Sequence, residues 1–130
     1  RSTSGSFKQT EAVSLAEHSF HHGGESEWLF VFEASIDMLA FISLHPEDWQ
    51  SHSYVALCSV SERALLYRLK VNPNLKKVVL CLDNDEAGQN AAHRIRQQLY
   101  ELGYGNVKIL TPQSKDWDED LKIHRREKVI

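Results

Sequence analysis

Short apolar runs alternate along the chain with longer segments in which apolar residues recur every three or four positions. The runs are continuous, which is typical of strands covered on both faces of a sheet. The spacing of the apolar residues in the longer segments predicts amphipathic helices. Because strand–helix–strand repeats favour parallel pairing, the pattern predicts an α/β fold: a doubly wound, mainly parallel, four-stranded sheet with helices on both faces. The predicted strands are Trp28 to Phe32, Tyr54 to Cys58, Lys76 to Leu82 and Asn106 to Leu110.

The helices predicted between these strands have recognisable starts and stops. They run from Ser35 to Leu44, from Ser61 to Leu69 and from Asp85 to Leu102. The second and third begin with a serine and an aspartate, which are residue types that cap helix N-termini. A proline follows each of the first two helices, and Gly103 follows the third, as expected at helix ends.

The same pattern divides the chain into three parts. Residues 1–27 form a polar N-terminal segment, in which His18 to His22 is compatible with a short edge strand. Residues 28–121 form one domain, which ends in a charged loop from Lys115 to Asp120. Residues 122–130 are a basic C-terminal tail. Because the sequence does not begin with methionine, we expect a fragment of a longer parent protein, whose other domains would be its partners.

Composition narrows the class of protein. The chain has 130 residues, of which 42% are hydrophobic and 25% charged, as in one globular domain. Its net charge of −3 neither indicates nor excludes nucleic-acid binding. Cys58 and Cys81 both lie in apolar runs, which predicts buried thiols in a reducing cytoplasm and no disulfide scaffold. No apolar stretch approaches the roughly 20 residues of a membrane span, so no membrane partner is expected.

Acidic residues follow two of the predicted strands. Asp83 and Asp85 come directly after the third strand, and Glu33 ends the first. The carboxyl ends of parallel strands open onto one crevice, so these acids are expected to meet there. Carboxylate oxygens are the ligands that hard divalent cations prefer. The sequence therefore predicts a Mg²⁺ site, which Mn²⁺ also suits, for phosphate chemistry.

Each acidic residue also has a structural interpretation. Asp85 would cap the long helix, and Asp37 would complement the N-terminus of the helix that follows Glu33. The acids after the fourth strand would form a solvated loop. An Asp-x-Asp pair after a strand also occurs in haloacid-dehalogenase-like phosphatases, but Glu86-Ala87-Gly88 lacks the Thr or Val that this chemistry normally requires. For Trp49 and Trp117, packing is a more ordinary role than base stacking.

Taken in order, these motifs resemble a known family. Glu33 after one strand, Asp83-x-Asp85 after a later one, Gly88, and Lys115-Asp116-x-Asp118 look like the Toprim domain. That domain is shared by DnaG-type primases, type IA and type II topoisomerases, OLD-family nucleases and recombination-repair proteins. The strings Leu82 to Gly88 and Lys115 to Asp118 are most similar to primase-like Toprim domains of plasmids, phages and conjugative elements.

The resemblance implies Mg²⁺-dependent phosphodiester or nucleotidyl transfer on nucleic acid, with DNA favoured, within a larger DNA-processing protein. A primase-like activity is favoured over nicking or strand passage. The resemblance implies that Glu33 is a proton donor or acceptor and that Asp83 and Asp85 are metal ligands. Asp37 and Asp116 would be further or second-metal ligands. Lys115 and Arg63 would be cations that follow the nucleic-acid backbone.

The alternative is a non-catalytic module that uses the same fold for binding or recruitment in a mobile-element protein. It rests on Ala34 and Ser59, which stand where many relatives carry glycine. With less glycine there is less room for a phosphate or metal to approach the backbone.

Overall fold

The structure, a computed structural model, describes residues 20–58 and 61–129. Within these residues, five strands and four α-helices follow one another, with a short 3₁₀ turn at Trp49–Ser51. The strands are β1 (His21–His22), β2 (Trp28–Phe32), β3 (Ser53–Ala56), β4 (Lys77–Leu80) and β5 (Asn106–Ile109). The helices are α1 (Ser35–Leu44), α2 (Arg63–Val71), α3 (Glu86–Glu101) and α4 (Trp117–Val129).

All strands belong to one sheet in the order β1-β3-β2-β4-β5. The pairs β3–β2, β2–β4 and β4–β5 are parallel, so the predicted doubly wound α/β fold is confirmed. The sheet has five strands instead of four, because β1 pairs antiparallel with β3 as an edge strand. This strand is the predicted one, reduced to His21–His22. Residues 1–19, including His18, lie outside the described part of the chain.

Helices cover both faces of the sheet, which explains why the strands are apolar at successive positions. On one face α2 and α3 pack against the side chains of Leu29, Val31 and Val78. On the other face α1 and α4 pack against Phe32 and Cys81. Successive side chains of a strand point to opposite faces, so both sets of positions must be apolar.

The predicted charged loop is wrong from Trp117 onward, because residues 117–129 form helix α4, which includes most of the predicted basic tail. Trp117 and Leu121, four positions apart, are buried on the same side of this helix against α1. The Trp117 indole N–H donates to the Cys81 carbonyl at 3.0 Å, and its ring meets Phe41 edge-on. Trp117 is therefore a core residue, as the packing interpretation expected.

One of the two cysteines differs from the expectation. Cys81 is fully buried as predicted, but Cys58 is exposed. β3 ends at Ala56, two residues earlier than predicted, and Cys58 turns out of the sheet with a φ of 62°. Both thiols are free. Among the described residues, no helix is both long and apolar enough to cross a membrane.

Candidate metal site

The carboxyl edge of the sheet collects four acidic side chains from three parts of the sequence. Glu33 follows β2, Asp37 lies in the first turn of α1, Asp83 follows β4, and Asp116 directly precedes α4. Asp37, Asp83 and Asp116 each place a carboxylate oxygen within 4.8 Å of those of the other two. We call these three residues the acidic triad. It brings together residues that are 33 to 79 positions apart.

Asp83 has the least favourable electrostatic environment of the three triad residues. Its Oδ1 atom is buried and has no hydrogen-bond partner in the part of the chain that the structure describes. Burial first, and then the charges of four neighbouring carboxylates, raise the pKa of Asp83 to about 7. A buried carboxylate oxygen without a donor is costly, and such groups call for a cation or another partner. The four neighbours are Glu33, Asp37, Asp116 and Asp85.

Asp37 is buried, with only 4% of its surface exposed. It accepts a hydrogen bond from the backbone N–H of Asp118 at 3.2 Å. Burial is the main cause that raises the pKa of Asp37; the hydrogen bond opposes it, and nearby carboxylates, Asp116 first, add to it. Because two members of the triad hold protons more tightly than usual, the triad favours either protonation or a bound cation.

Asp116 has two roles. Its Oδ1 accepts from the backbone N–H of Glu119 at 2.9 Å, which caps α4, and one of its oxygens belongs to the triad. The preceding loop is held in place by contacts that sequence reasoning missed. Asp120 accepts from the backbone N–H groups of Gln113 and Ser114. The only sequence signal for these contacts is a set of acids before a helical pattern. Composition alone predicts that such a set of acids forms a loop.

Glu33 lies one hydrogen bond from the triad. Its Oε2 accepts from the backbone N–H of Asp83 at 3.0 Å, so the end of β2 is tied to the end of β4. The first turn of α3 closes over this bond at Gly88. A Cβ atom at Gly88 would lie 2.4 Å from the Asp83 carbonyl oxygen and 2.7 Å from Glu33 Oε2. Only glycine fits there without moving backbone.

Asp85 lies outside the triad. Its Oδ1 accepts from the backbone N–H of Gly88 at 2.7 Å, so it caps α3 in the way that the structural interpretation expected. It still acts on the site by charge, since it contributes to the raised pKa of Asp83.

The two predicted cations lie at the same edge of the sheet. Lys115 is exposed and directly precedes Asp116, and its carbonyl accepts from the backbone N–H of Asn84 at 2.6 Å. Arg63 is exposed at the first turn of α2, after the carboxyl end of β3. Ser59 lies outside the described residues. Ala34 has an extended backbone with a φ of −133°, so alanine there causes no backbone strain.

A family model described as Toprim-like matches residues 30–121, which is most of the chain. The chain belongs to this Toprim-like family. The match includes the four acids at the carboxyl edge, so the resemblance found in Glu33 and Asp83-x-Asp85 is confirmed.

Two uncharacterised proteins are curated relatives of this Toprim-like chain. A protein of Bacillus anthracis is 25% identical over 127 residues, which covers 88% of this chain and 37% of the relative. An MG010 homologue of Mycoplasma pneumoniae is 30% identical over 106 residues, covering 80% of this chain and 47% of the relative. The chain therefore spans less than half the length of either relative.

Two solved structures share the fold. The primase fragment of the bacteriophage T7 primase-helicase protein superposes with a TM-score of 0.61 at 24% identity, over 82% of this chain and 44% of that fragment. The primase domains in a T7 lagging-strand DNA polymerase complex, bound to an RNA/DNA hybrid, give 0.59 at 23% identity, over 82% and 54%.

Proposed function

We propose that this chain is the Toprim domain of a larger primase-like DNA-processing protein, and that the acidic triad holds a divalent cation for nucleotidyl transfer. The observation that carries the proposal is the meeting of Asp37, Asp83 and Asp116 within 4.8 Å. The fold shared with T7 primase fragments supports the primase-like class.

The residues present fit a divalent cation. The triad offers only carboxylate oxygens, which suit Mg²⁺ and Mn²⁺ better than soft metals. The Oδ1 atom of Asp83 is a buried acceptor that no donor among residues 20–58 and 61–129 satisfies. Without a cation, burial and the mutual repulsion of the carboxylates raise the pKa of Asp83 to about 7, and a bound cation would remove that cost.

Each residue then has a definable task. Asp37, Asp83 and Asp116 would hold the cation, which would supply the positive charge that orients a phosphate and neutralises charge developing in phosphoryl transfer. Glu33 accepts a hydrogen bond from the Asp83 N–H through Oε2. Its carboxyl group serves as proton donor or acceptor for a sugar hydroxyl.

Lys115 and Arg63 serve the substrate and not the cation. Both side chains are exposed at the carboxyl edge, where they can contact the nucleic-acid backbone beside the acidic triad. Their charges matter because the carboxylates otherwise repel the phosphates of DNA.

Primer synthesis by the full-length parent protein tests the activity. We expect template-directed synthesis from nucleoside triphosphates that depends on Mg²⁺ or Mn²⁺ and is lost in Asp83→Asn. The non-catalytic module is the competing outcome. It would be indicated by a wild-type protein that neither binds Mn²⁺ saturably nor responds to this substitution.

Metal binding should depend on pH. Since the pKa of Asp83 is raised to about 7, protons compete with the cation, and Mn²⁺ affinity should fall about tenfold per pH unit below pH 7.

The metal-free protein should show the opposite trend in stability. The folded state binds this proton more tightly than the unfolded state, so the free energy of unfolding falls as pH rises from about 4 to about 7. Calorimetry and thermal melts at several pH values check both; a pH-independent affinity would contradict the assignment.

Asp85 needs a separate test, because its role as a direct ligand is still a prediction. Asparagine also caps helices, so Asp85→Asn should leave α3 intact and lower Mn²⁺ affinity by only about two- to fivefold through lost charge. Asp85→Ala should cost a further ~1 kcal/mol of stability through the lost cap. A loss of affinity in Asp85→Asn as large as that in Asp83→Asn would instead make Asp85 a ligand.

A further inference from the structure

Among the described residues, α1 and α4 cover only part of the sheet face on which they pack. Phe32 and Cys81 on this face are fully buried under the two helices. Beside them, along β2, β4 and β5, a groove of about 320 Å³ lies open. It is lined by Trp28, Phe30, His52, Val79, Lys108 and Leu110, among others.

Two lysines give this groove a positive charge. The Nζ atoms of Lys77 and Lys108 lie 5.1 and 5.6 Å from the centre of the Trp28 ring. Within residues 20–58 and 61–129, neither ammonium forms an ion pair, although Glu25 and Glu27 line a neighbouring recess beside Lys77. In a chain of net charge −3, two unneutralised cations on one aromatic ring favour an anionic ligand.

The aromatic rings of the groove form a continuous row. Trp28 and Phe30 are stacked with centroids 6.3 Å apart, and Phe30 and Tyr54 are stacked at 5.4 Å. Trp28 and Phe30 are partly exposed, whereas Tyr54 is buried and anchors the row. Partly exposed rings beside cations are the combination that binds single-stranded nucleic acid, because bases stack on the rings while phosphates meet the cations.

We propose that this groove binds single-stranded nucleic acid, with a base on Trp28 or Phe30 and phosphates near Lys77 and Lys108. A purely apolar protein partner fits less well, because it would bury two ammonium groups without counter-charges. The inference rests on the proposed function in one respect: the strand would be the one on which the acidic triad acts. Trp28 in the groove lies about 17 Å along β2 from Glu33, which bonds to Asp83 of the triad, since the two residues are five positions apart at about 3.4 Å each.

The test is fluorescence anisotropy of a fluorescein-labelled ten-residue oligothymidylate with the 130-residue chain in EDTA. Trp28→Ala should weaken binding about tenfold. The double variant Lys77→Gln, Lys108→Gln should weaken binding and reduce the slope of log affinity against log salt by about 1.4. Lys70→Gln is the control for the loss of one lysine charge away from the groove, since Lys70 is exposed on α2 over the opposite sheet face, and it should change neither the affinity nor the salt slope.

The outcomes separate this inference from the proposed function. EDTA removes divalent cations, so the measured affinity reports on the groove whether or not the triad binds metal. No binding by the wild type, or equal affinities in the wild type and the lysine double variant, would overturn the inference. A loss of oligonucleotide affinity in Trp28→Ala alone would also overturn the inference, because it would indicate an apolar face that docks protein. The lysine variants alter exposed or half-exposed side chains, so they keep the test decisive if Trp28→Ala unfolds.

Discussion

Replacing Asp83 by asparagine should abolish metal binding and at the same time stabilise the metal-free protein. The amide removes the ligand charge at the centre of the acidic triad, so Mn²⁺ affinity should fall at least 100-fold, as expected when a metal ligand is removed. It also removes a carboxylate that is buried among other carboxylates, with a pKa raised to about 7. Above pH 7, in EDTA, we expect the melting temperature to rise by several degrees.

Opposite signs for affinity and stability distinguish a binding site from a structural cluster. Asp48→Asn is the matched control. Asp48 is exposed, lies outside the acidic triad, and has a φ of 60°, a conformation that asparagine adopts readily. It should change neither Mn²⁺ affinity nor melting temperature. A lower melting temperature for metal-free Asp83→Asn would mean that the Asp83 carboxylate stabilises the fold through contacts of its own, and the triad would then be a structural cluster.

Gly88→Ala should destabilise the protein by about 3 kcal/mol and weaken metal binding. Helix propensity alone predicts the opposite, a gain of about 1 kcal/mol, because Gly88 lies in the first turn of α3. The added methyl group would meet the Asp83 carbonyl at 2.4 Å and Glu33 Oε2 at 2.7 Å. The helix would have to move away, which would break the bond between Glu33 and the Asp83 N–H.

Chemical denaturation and Mn²⁺ titration measure both effects. Gly23→Ala is the control, because a Cβ atom at Gly23 would have no atom within 4 Å, and its effect on stability should stay within about 0.5 kcal/mol. Equal stability of the wild type and Gly88→Ala would show that the α3 turn is looser than the close approach indicates.

The layered fold was predictable because its signals are local and repeated. Continuous apolar runs identify strands buried on both faces, and the α3 pattern ends at Gly103. Helix α4 was missed because its first turn contains three acids, which look like a solvated loop when read as composition. Those acids are favourable at a helix N-terminus, and only Trp117 and Leu121, four positions apart, indicated the buried side.

The edge of the sheet at which the site lies was predictable, but the set of acidic residues that meet there was not. Parallel strands fix which edge the acids share, so Glu33 and Asp83 could be placed together. Which oxygen meets which partner depends on loops from different parts of the chain. Asp85 turns back to the Gly88 N–H, whereas Asp116 joins the triad because α4 packs beside α1. No periodicity in the sequence encodes that choice.

A crystal of the chain soaked in Mn²⁺ and measured at the manganese absorption edge is the decisive test of the metal site. We expect one anomalous peak within about 2.0–2.3 Å of carboxylate oxygens from Asp37, Asp83 and Asp116, absent in Asp83→Asn crystals. A peak bound by other residues, or millimolar Mn²⁺ that leaves the three carboxylates without an ion, would contradict the proposed site.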